Sequence, residues 1–140
     1  MKSHTEVVVD GVGQVVGVRH HDGQIIGIAF PSEGLVEICL RDSAGEENSV
    51  SLEGVEYFLV NNLREGNIVD RMYVWDLDAA PRFVIGPLLE ALSANGLDAL
   101  SQRLGGKIKV FRLESSFGAE VTALVRRICA QKCRSDQQGN

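Results

Sequence analysis

The sequence predicts a mainly β (α+β) protein: a single antiparallel β-sandwich or partly open barrel with one helical insertion near residues 86–104. Two observations predict this architecture. Short runs rich in β-branched residues recur from Thr5 to Leu77, and each of them ends at a glycine, Asp-Gly or proline-containing turn. After Pro81 the apolar residues recur every three or four positions, a spacing that is typical of helices.

The part of the chain before Pro81 is predicted to consist of strands joined by short turns. Asp22-Gly23 and Pro31–Gly34 predict hairpins, because both are favourable turn sequences between apolar runs. Gln24–Phe30 is apolar on both faces, which predicts a central strand covered on both sides, or on one side by small residues. The predicted strands are Thr5–Val9, Val15–His20, Gln24–Phe30, Leu35–Arg41, Ser49–Glu53, Val55–Val60 and Ile68–Asp78.

The helical insertion is predicted from its two ends. Gly86-Pro87 predicts a helix start with proline at the first helical position, and Asn95-Gly96 predicts a helix end. Leucines at spacings of three and four continue to Leu104, which predicts a second short helical stretch before the chain returns to strands.

The C-terminal third contains one segment with two interpretations. Lys107–Leu113 alternates and predicts a strand. Residues 119–128 fit a strand and a helix equally well: the glycine-containing turn before them favours a hairpin, whereas a serine cap favours a helix. We prefer the strand. Residues 1–130 are expected to form one domain, followed by a polar, disordered tail over 131–140.

Composition and charge restrict the class of protein. The 140 residues suit one domain, and 44% hydrophobic and 24% charged residues are ordinary for a soluble globular protein. No apolar run is long enough for a membrane helix, and Met1–His4 do not begin a secretory signal, so a cytoplasmic location is expected. The net charge of −5 argues against nucleic-acid binding and permits a basic protein partner.

Three stretches approach catalytic or cofactor motifs and depart from them. Gly11-Val12-Gly13 with Gly17 has its third glycine one residue too late for a dinucleotide fingerprint, and it precedes a strand. His20-His21 would point to opposite faces of a strand, so the pair cannot bind one metal ion without a bend. Ser115–Glu120 lacks the G-x-S-x-G pattern of a nucleophile turn. These departures favour a role without catalysis, and we expect no cofactor; whether the chain is an enzyme stays open.

The three cysteines predict neither a disulfide framework nor a metal site. Their number is odd, and Cys39 lies in an apolar run, where it is expected to pack as a small hydrophobic residue. Cys129 and Cys133 lack the third and fourth ligands of a tetrahedral zinc site.

The candidate binding residues lie around the predicted strand Ile68–Asp78. Arg71, Tyr73 and Trp75 share one face there, and arginine and aromatic side chains are enriched in protein interfaces. Core packing of the aromatics is the simpler alternative. The nearby carboxylates could hold Mg²⁺ or exchange protons, although solvated acids at a strand end are again simpler. The predicted partner-binding residues are Glu65, Asp70, Arg71, Tyr73, Trp75, Asp76 and Asp78.

Four stretches carry a family resemblance. They are His21-Asp22-Gly23, Leu52-Glu53-Gly54-Val55, Arg64-Glu65-Gly66-Asn67-Ile68-Val69-Asp70 and Ser115-Ser116-Phe117-Gly118-Ala119-Glu120. With the apolar hairpin between the first two, they resemble small uncharacterised bacterial β-rich proteins, some of which look like immunity proteins of polymorphic toxin systems. The resemblance implies a bacterial β domain that binds and blocks a partner protein without catalysis of its own.

The sequence therefore favours binding of a protein partner, with an acidic surface meeting a basic patch. One alternative is a small-ligand-binding or enzymatic β-barrel with an apolar cavity lined by Phe30, Tyr57 and Trp75. Another is a structural subunit that forms homo-oligomers through exposed strand edges.

Overall fold

A computed structural model describes residues 5–18, 20–105 and 107–132. Within them, one antiparallel sheet of nine strands and a separate two-stranded ribbon account for most of the chain, so the predicted mainly β fold is confirmed. The strands are β1 (Thr5–Glu6), β2 (Val8–Val9), β3 (Val15–Val16), β4 (Gln24–Ser32), β5 (Leu35–Arg41), β6 (Glu47–Glu53), β7 (Tyr57–Asn61), β8 (Ile68–Asp76), β9 (Lys109–Phe117), β10 (Glu120–Val125) and β11 (Arg127–Lys132).

The large sheet has a sandwich-like arrangement of two halves, which β10 and β11 connect because they follow each other almost without a break. The strand order is β1-β11-β6-β5-β4-β8-β9-β10-β7, and only Arg126 separates β10 from β11. β10 pairs with β9 and β7, whereas β11 pairs with β6 and β1. The inner faces of both halves pack on one apolar core, which includes Val36, Ile38, Val50, Leu52, Val69, Met72, Phe111, Leu113, Val121 and Ile128.

Two helices, α1 (Arg82–Ala91) and α2 (Leu97–Leu104), form the predicted helical insertion and cover a second core. The predicted start at Gly86-Pro87 is wrong, because α1 begins directly after Pro81 and contains Pro87 in its interior. Burial of Val84 and Ile85 explains the earlier start, since their apolar contacts outweigh the backbone hydrogen bond that Pro87 removes. The second core consists of Leu77, Val84, Ile85, Leu88, Leu100, Ile108, Val110 and Leu124.

Two expectations about β4 are corrected. The Asp22-Gly23 turn exists, with Gly23 donating its N–H to the carbonyl of His20 at 2.9 Å, but β4 pairs with β5 and β3 pairs with β2. β4 lies between β5 and β8, yet it pairs with β8 only at Gln24, and Phe30 is 66% exposed. The apolar sequence of β4 predicts that both faces of the strand are buried, but the second half of the strand is largely exposed to solvent. The hairpin after Pro31 is confirmed.

A bulge in β8 separates Val69 from the face that Arg71, Tyr73 and Trp75 share. Val69 pairs with Ser115 and Arg71 pairs with Glu114, so Asp70 is an extra residue in the ladder. Val69 therefore faces the core, and after the bulge Met72 does so. The shift leaves Arg71, Tyr73 and Trp75 on the face opposite the main core, where Trp75 packs against the second core, although alternation alone would place them on the same face as Val69.

The strand interpretation of residues 119–128 is confirmed by β10 and β11. β11 includes Gln131 and Lys132, so the sheet extends two residues into the segment predicted as a tail. The rest of that segment, including Cys133, lies outside the described residues. In the described part of the chain, neither helix has the length and apolar character needed to span a bilayer.

Candidate interaction surface

The most exposed apolar feature of the described chain is the ribbon formed by β2 and β3. Val8 faces Val16 across it, and Val9 faces Val15. Asp10 closes the turn: its carboxylate accepts hydrogen bonds from the backbone N–H groups of Val12 at 3.0 Å and Gln14 at 2.9 Å. This local bonding is the usual reason for aspartate in a turn.

The ribbon is anchored on the outer edge of β8. Gln14 forms a bridge with Tyr73, and Val74 donates its N–H to the carbonyl of Gly13 at 2.8 Å. The Trp75 indole N–H donates to the carbonyl of Val12 at 3.0 Å, and the Trp75 ring stacks on Tyr73 with centroids 5.0 Å apart. A two-stranded ribbon is marginally stable alone, so these contacts hold it in place.

Exposed valines lie on both faces of the ribbon and at its tip. Val8 and Val16 share one face and are 62% and 41% exposed, and Val12 at the tip is 69% exposed. Val9 shares the other face with Val15 and is 41% exposed, whereas Val15 is buried in the main core. Single exposed apolar residues are common on protein surfaces, but a cluster of them marks a candidate contact surface. Val15 fixes the ribbon, and the other four valines are presented to solvent.

A polar crevice of about 440 Å³ lies beside the ribbon, and we call it the histidine crevice. His21 is exposed, and its Nδ1 lies 3.0 Å from the backbone carbonyl of Asp70 and 3.4 Å from the Asp70 carboxylate. The hydrogen bond to that carbonyl, together with the nearby Asp22 carboxylate, raises the pKa of His21 above its ordinary value. The residues that line the crevice include Gln14, His20, His21, Ser43, Asp70 and Arg71.

His20 differs from its neighbour in environment. It is only 6% exposed, and its Nδ1 lies 2.7 Å from the carbonyl of Val18. Desolvation by burial lowers the pKa of His20, so the imidazole is held neutral at pH 7. Within the described ranges, no group of three or more His, Cys, Asp and Glu side chains is placed to hold a metal ion.

Arg71 connects the crevice to the aromatic stack. Its side chain is exposed, and a hydrogen bond to Tyr73 is the main cause that raises the pKa of its guanidinium. We call the ribbon, the histidine crevice and the Tyr73–Trp75 stack together the ribbon surface. Four predicted partner-binding residues, Asp70, Arg71, Tyr73 and Trp75, belong to it.

The other three predicted partner-binding residues lie apart from these four. Asp76 lies six residues after Asp70, about 20 Å further along β8. Its carboxylate pairs with the ammonium group of Lys109 at 2.8 Å. The hydrogen bond from Lys109 lowers the pKa of Asp76. Asp78 lies in the short 3-10 helix Leu77–Ala79, and Glu65 lies in the exposed loop before β8. The carboxylates therefore do not form one continuous acidic patch.

A groove of about 460 Å³ also lies beside the ribbon and shares Val18 and Asp42 with the histidine crevice; we call it the Gln131 groove. Its walls include Val8, Val16 and Val18, and Gln131 of β11 lies in it with only 7% of its surface exposed. Glu6, Glu46 and Lys132 are charged residues that line it, together with Asp42, which is buried and accepts hydrogen bonds from the backbone N–H groups of Ala44 and Glu46.

The aromatic residues proposed for an internal cavity lie in different places. Phe30 is exposed and contacts Phe58, with ring centroids 5.9 Å apart, whereas Tyr57 and Trp75 pack against the second core. They do not line one common cavity.

The sequence did not indicate the valines of the ribbon as surface residues. Alternating valines on short strands usually predict core positions, and Val8, Val9 and Val16 were included in predicted strands. The available signal was Asp10 before two glycines, which predicts a tight turn and hence a ribbon too short to bury both faces.

No protein-family model, curated protein or solved structure gives a significant match to this chain.

Proposed function

We propose that this chain is a protein-binding module that docks a partner protein on the ribbon surface. The observation that supports it best is the presentation of Val8, Val9, Val12 and Val16 to solvent by a ribbon that buried residues hold in place. Val15 and Trp75 hold the ribbon on the fold, whereas threonine would serve equally well at the exposed positions. Contact with a partner protein would explain why valine occupies these exposed positions.

The composition of the ribbon surface suits a protein more than a small ligand. Protein interfaces combine an apolar centre with a polar rim, and arginine and aromatic residues are enriched in them. Here the valines form the centre, and His21, Asp70 and Arg71 form part of the rim. A typical interface covers about 800 Å² on each partner, so a partner would have to contact the crevices beside the ribbon as well.

Charge and resemblance suggest how such a module would act. A net charge of −5 favours a basic partner through electrostatic steering. Neutralisation of a toxin-like partner by steric masking is the form of the proposal that the resemblance to immunity proteins favours, and it needs no catalytic residues of its own.

Self-association is a second candidate, supported by the edge strand β7. In the described residues β7 pairs only with β10, so its other edge has unpaired backbone groups, and Leu59 on it is 39% exposed. Light scattering over a range of concentrations tests this candidate: a dimer that Leu59→Lys dissociates supports it, and a monomer at every concentration excludes it.

Co-purification with the products of neighbouring genes tests the main proposal. The test variant is Val8→Thr/Val16→Thr, which retains shape and β propensity but loses apolar surface. The control is Leu63→Thr, because Leu63 is also exposed but lies in a loop away from the ribbon. Wild type and control are expected to form a complex that the double variant weakens about tenfold. Equal binding by all three, or no complex with any product, would contradict the proposal.

A further inference from the structure

We propose that Asn95 is a covalent modification site: in the folded protein its side-chain amide is hydrolysed without an enzyme, which leaves aspartate or isoaspartate at this position. The proposal does not depend on the protein-binding function, because it concerns the turn between α1 and α2 and not the ribbon surface. Three features support it: the residue that follows Asn95, the exposure of the turn, and reacting atoms that no hydrogen bond of the described chain engages.

The reaction needs the residue that follows Asn95. Asn95-Gly96 is the one place in the sequence where glycine follows asparagine. The backbone nitrogen of Gly96 bonds to the side-chain carbonyl carbon of Asn95, which closes a succinimide ring and releases ammonia. Glycine favours this step because it has no Cβ to hinder the approach of its nitrogen.

Water completes the reaction by opening the ring. Cleavage at the former side-chain carbonyl gives aspartate, and cleavage at the backbone carbonyl gives isoaspartate. The balance is one water consumed and one ammonia released, so the reaction needs no cofactor and no other reactant.

The turn that holds Asn95 is open to solvent. α1 ends at Ala91 and α2 begins at Leu97, and Asn95 is exposed between them. Asn95 and Gly96 line a surface groove of about 470 Å³, so water can reach the ring. No atom lies within 4 Å of the position that a Cβ on Gly96 would occupy, so the attacking nitrogen lies in an uncrowded part of the backbone.

The reacting atoms are not held by other contacts. The N–H groups of residues 92–94 donate to carbonyls of α1, and the carbonyl of Gly96 accepts from the N–H of Leu100. In the part of the chain that the structure describes, no hydrogen bond uses the N–H of Gly96 or the side chain of Asn95. The side chain can therefore turn towards the nitrogen that attacks it.

The other internal asparagines lack this combination. Asn67 is buried, and its Oδ1 accepts two backbone N–H groups. Asn48 lies within β6, where both neighbouring strands pair with it. Asn61 and Asn62 are exposed, but asparagine and leucine follow them, and a Cβ on the following residue hinders ring closure.

Isoaspartate would alter the start of α2. In isoaspartate the main chain runs through the side-chain methylene, so an extra carbon separates residue 95 from Gly96. Leu100 of α2 is buried in the second core, and the Arg103 guanidinium donates to the carbonyl of Leu92 at 2.7 Å. These contacts fix α2 against α1, and a longer connection strains them. The aspartate product keeps the backbone and adds a charge that the N-terminus of α2 favours.

Peptide mapping of the full chain tests the proposal after incubation in mildly alkaline buffer. Trypsin releases residues 83–103, which contain Asn95 and no other asparagine, and residues 42–64, which contain Asn48, Asn61 and Asn62. We expect mass spectrometry to find amide hydrolysis at residue 95, and about tenfold less in the second peptide. Intact Asn95, or equal conversion in both peptides, would overturn the proposal.

A parallel incubation in urea tests the role of the structure. Because an exposed turn opens at almost no cost in free energy, we expect conversion in the folded protein to be within about threefold of that in the unfolded chain. Conversion about a hundredfold slower in the folded protein would show that the turn protects Asn95, and would contradict the proposal.

Variants test the chemistry and its consequence. Gly96→Ala should slow the reaction about tenfold, whereas Gly86→Ala, at an exposed and equally uncrowded glycine of α1, should leave the rate unchanged. Equal rates in Gly96→Ala and wild type would refute the proposed attack. After separation by ion exchange, the isoaspartate form should unfold at a lower temperature than Asn95→Asp, and equal midpoints would contradict the predicted effect on α2.

Discussion

The indole N–H of Trp75 donates to the backbone carbonyl of Val12 at 3.0 Å, and this hydrogen bond joins β8 to the tip of the ribbon. The two residues are 63 positions apart in the sequence, and Gly13 lies against the same ring. The position of the exposed valines therefore depends on one aromatic side chain of the sheet.

Replacing Trp75 with phenylalanine should loosen the ribbon without unfolding the sheet. The variant retains an aromatic ring for Tyr73 to stack on but loses the donor to Val12, so we expect a loss of about 1 kcal/mol in the free energy of unfolding. Urea denaturation followed by circular dichroism measures it. Amide exchange of Val74, whose N–H bonds to Gly13, should become faster, and unchanged exchange would contradict the role of the indole as an anchor.

Gly13→Ala should destabilise the protein more than Gly17→Ala. Both glycines have positive φ, 88° and 82°, so alanine is strained at either position by about 1–2 kcal/mol. At position 13 the new Cβ would also lie 2.4 Å from Nε1 of Trp75, whereas at position 17 no atom lies within 4 Å. Thermal denaturation of both variants gives the comparison, and equal losses would show that Trp75 does not confine the turn.

The two histidines should titrate on opposite sides of their ordinary pKa of 6.5. An NMR titration of the imidazole resonances should give a midpoint below that value for buried His20 and above it for exposed His21. The reverse order would contradict the burial and the hydrogen bonds on which both directions depend. Because the chain has three histidines, His20→Gln and His21→Gln are both needed, and each variant assigns the resonance that it removes.

The lowered pKa of His20 also affects stability. The unfolded chain binds a proton at this site near pH 6.5, and the folded chain does so only at lower pH, so stability falls as the pH decreases below that value. His21 has the opposite effect: its contribution is present at low pH and is lost as the pH rises through its raised pKa. In His21→Gln we therefore expect urea denaturation to show a steeper loss of stability between about pH 7.5 and 5.5 than in wild type. A flat profile would exclude His20 as the source.

Asn67 should be among the most sensitive polar residues. It is buried, and its Oδ1 accepts the backbone N–H groups of Arg64 and Ala119, each at 2.9 Å. Asn67→Ala leaves both donors without a partner, and we expect a loss of about 2 kcal/mol in unfolding free energy. Asn61→Ala, at an exposed position of β7, is the control and should change it by less than about 0.5 kcal/mol. Similar losses in the two variants would contradict the role of Asn67 as a bridge.

The elements that the sequence predicted best are those whose signals are local. β5 occupies the predicted Leu35–Arg41, because turns bound it on both sides and its alternation matches a core on one face only. The start of α1 was missed, because it depends on the burial of Val84 and Ile85 against distant residues. The bulge at Asp70, which places Val69 on the face opposite Arg71, was missed because it arises from the register of β8 with β9.

The candidate surface was predicted in part. The stripe of Arg71, Tyr73 and Trp75 was identified from residue type, and the structure places it beside the ribbon on the face of β8 opposite the main core, where Trp75 packs against the second core. Neither the exposed valines nor Gln131 could be identified in the same way. Whether a valine or a glutamine is buried or exposed depends on the residues that pack around it. The arrangement of the whole chain determines those residues.

The continuity of β10 and β11 across Arg126 has a consequence for the order in which this protein assembles. β6 receives its partner β11 only after some 75 intervening residues have been synthesised, as in the pairing of Leu52 with Ile128. Until then, one side of the hairpin made by β5 and β6 has no neighbour. Long-range pairing of this kind slows folding. A nascent chain that stalls before Arg127 would therefore expose the unpaired edge of β6, where other chains can pair and aggregate. We expect this protein to depend on chaperones more than other proteins of its length.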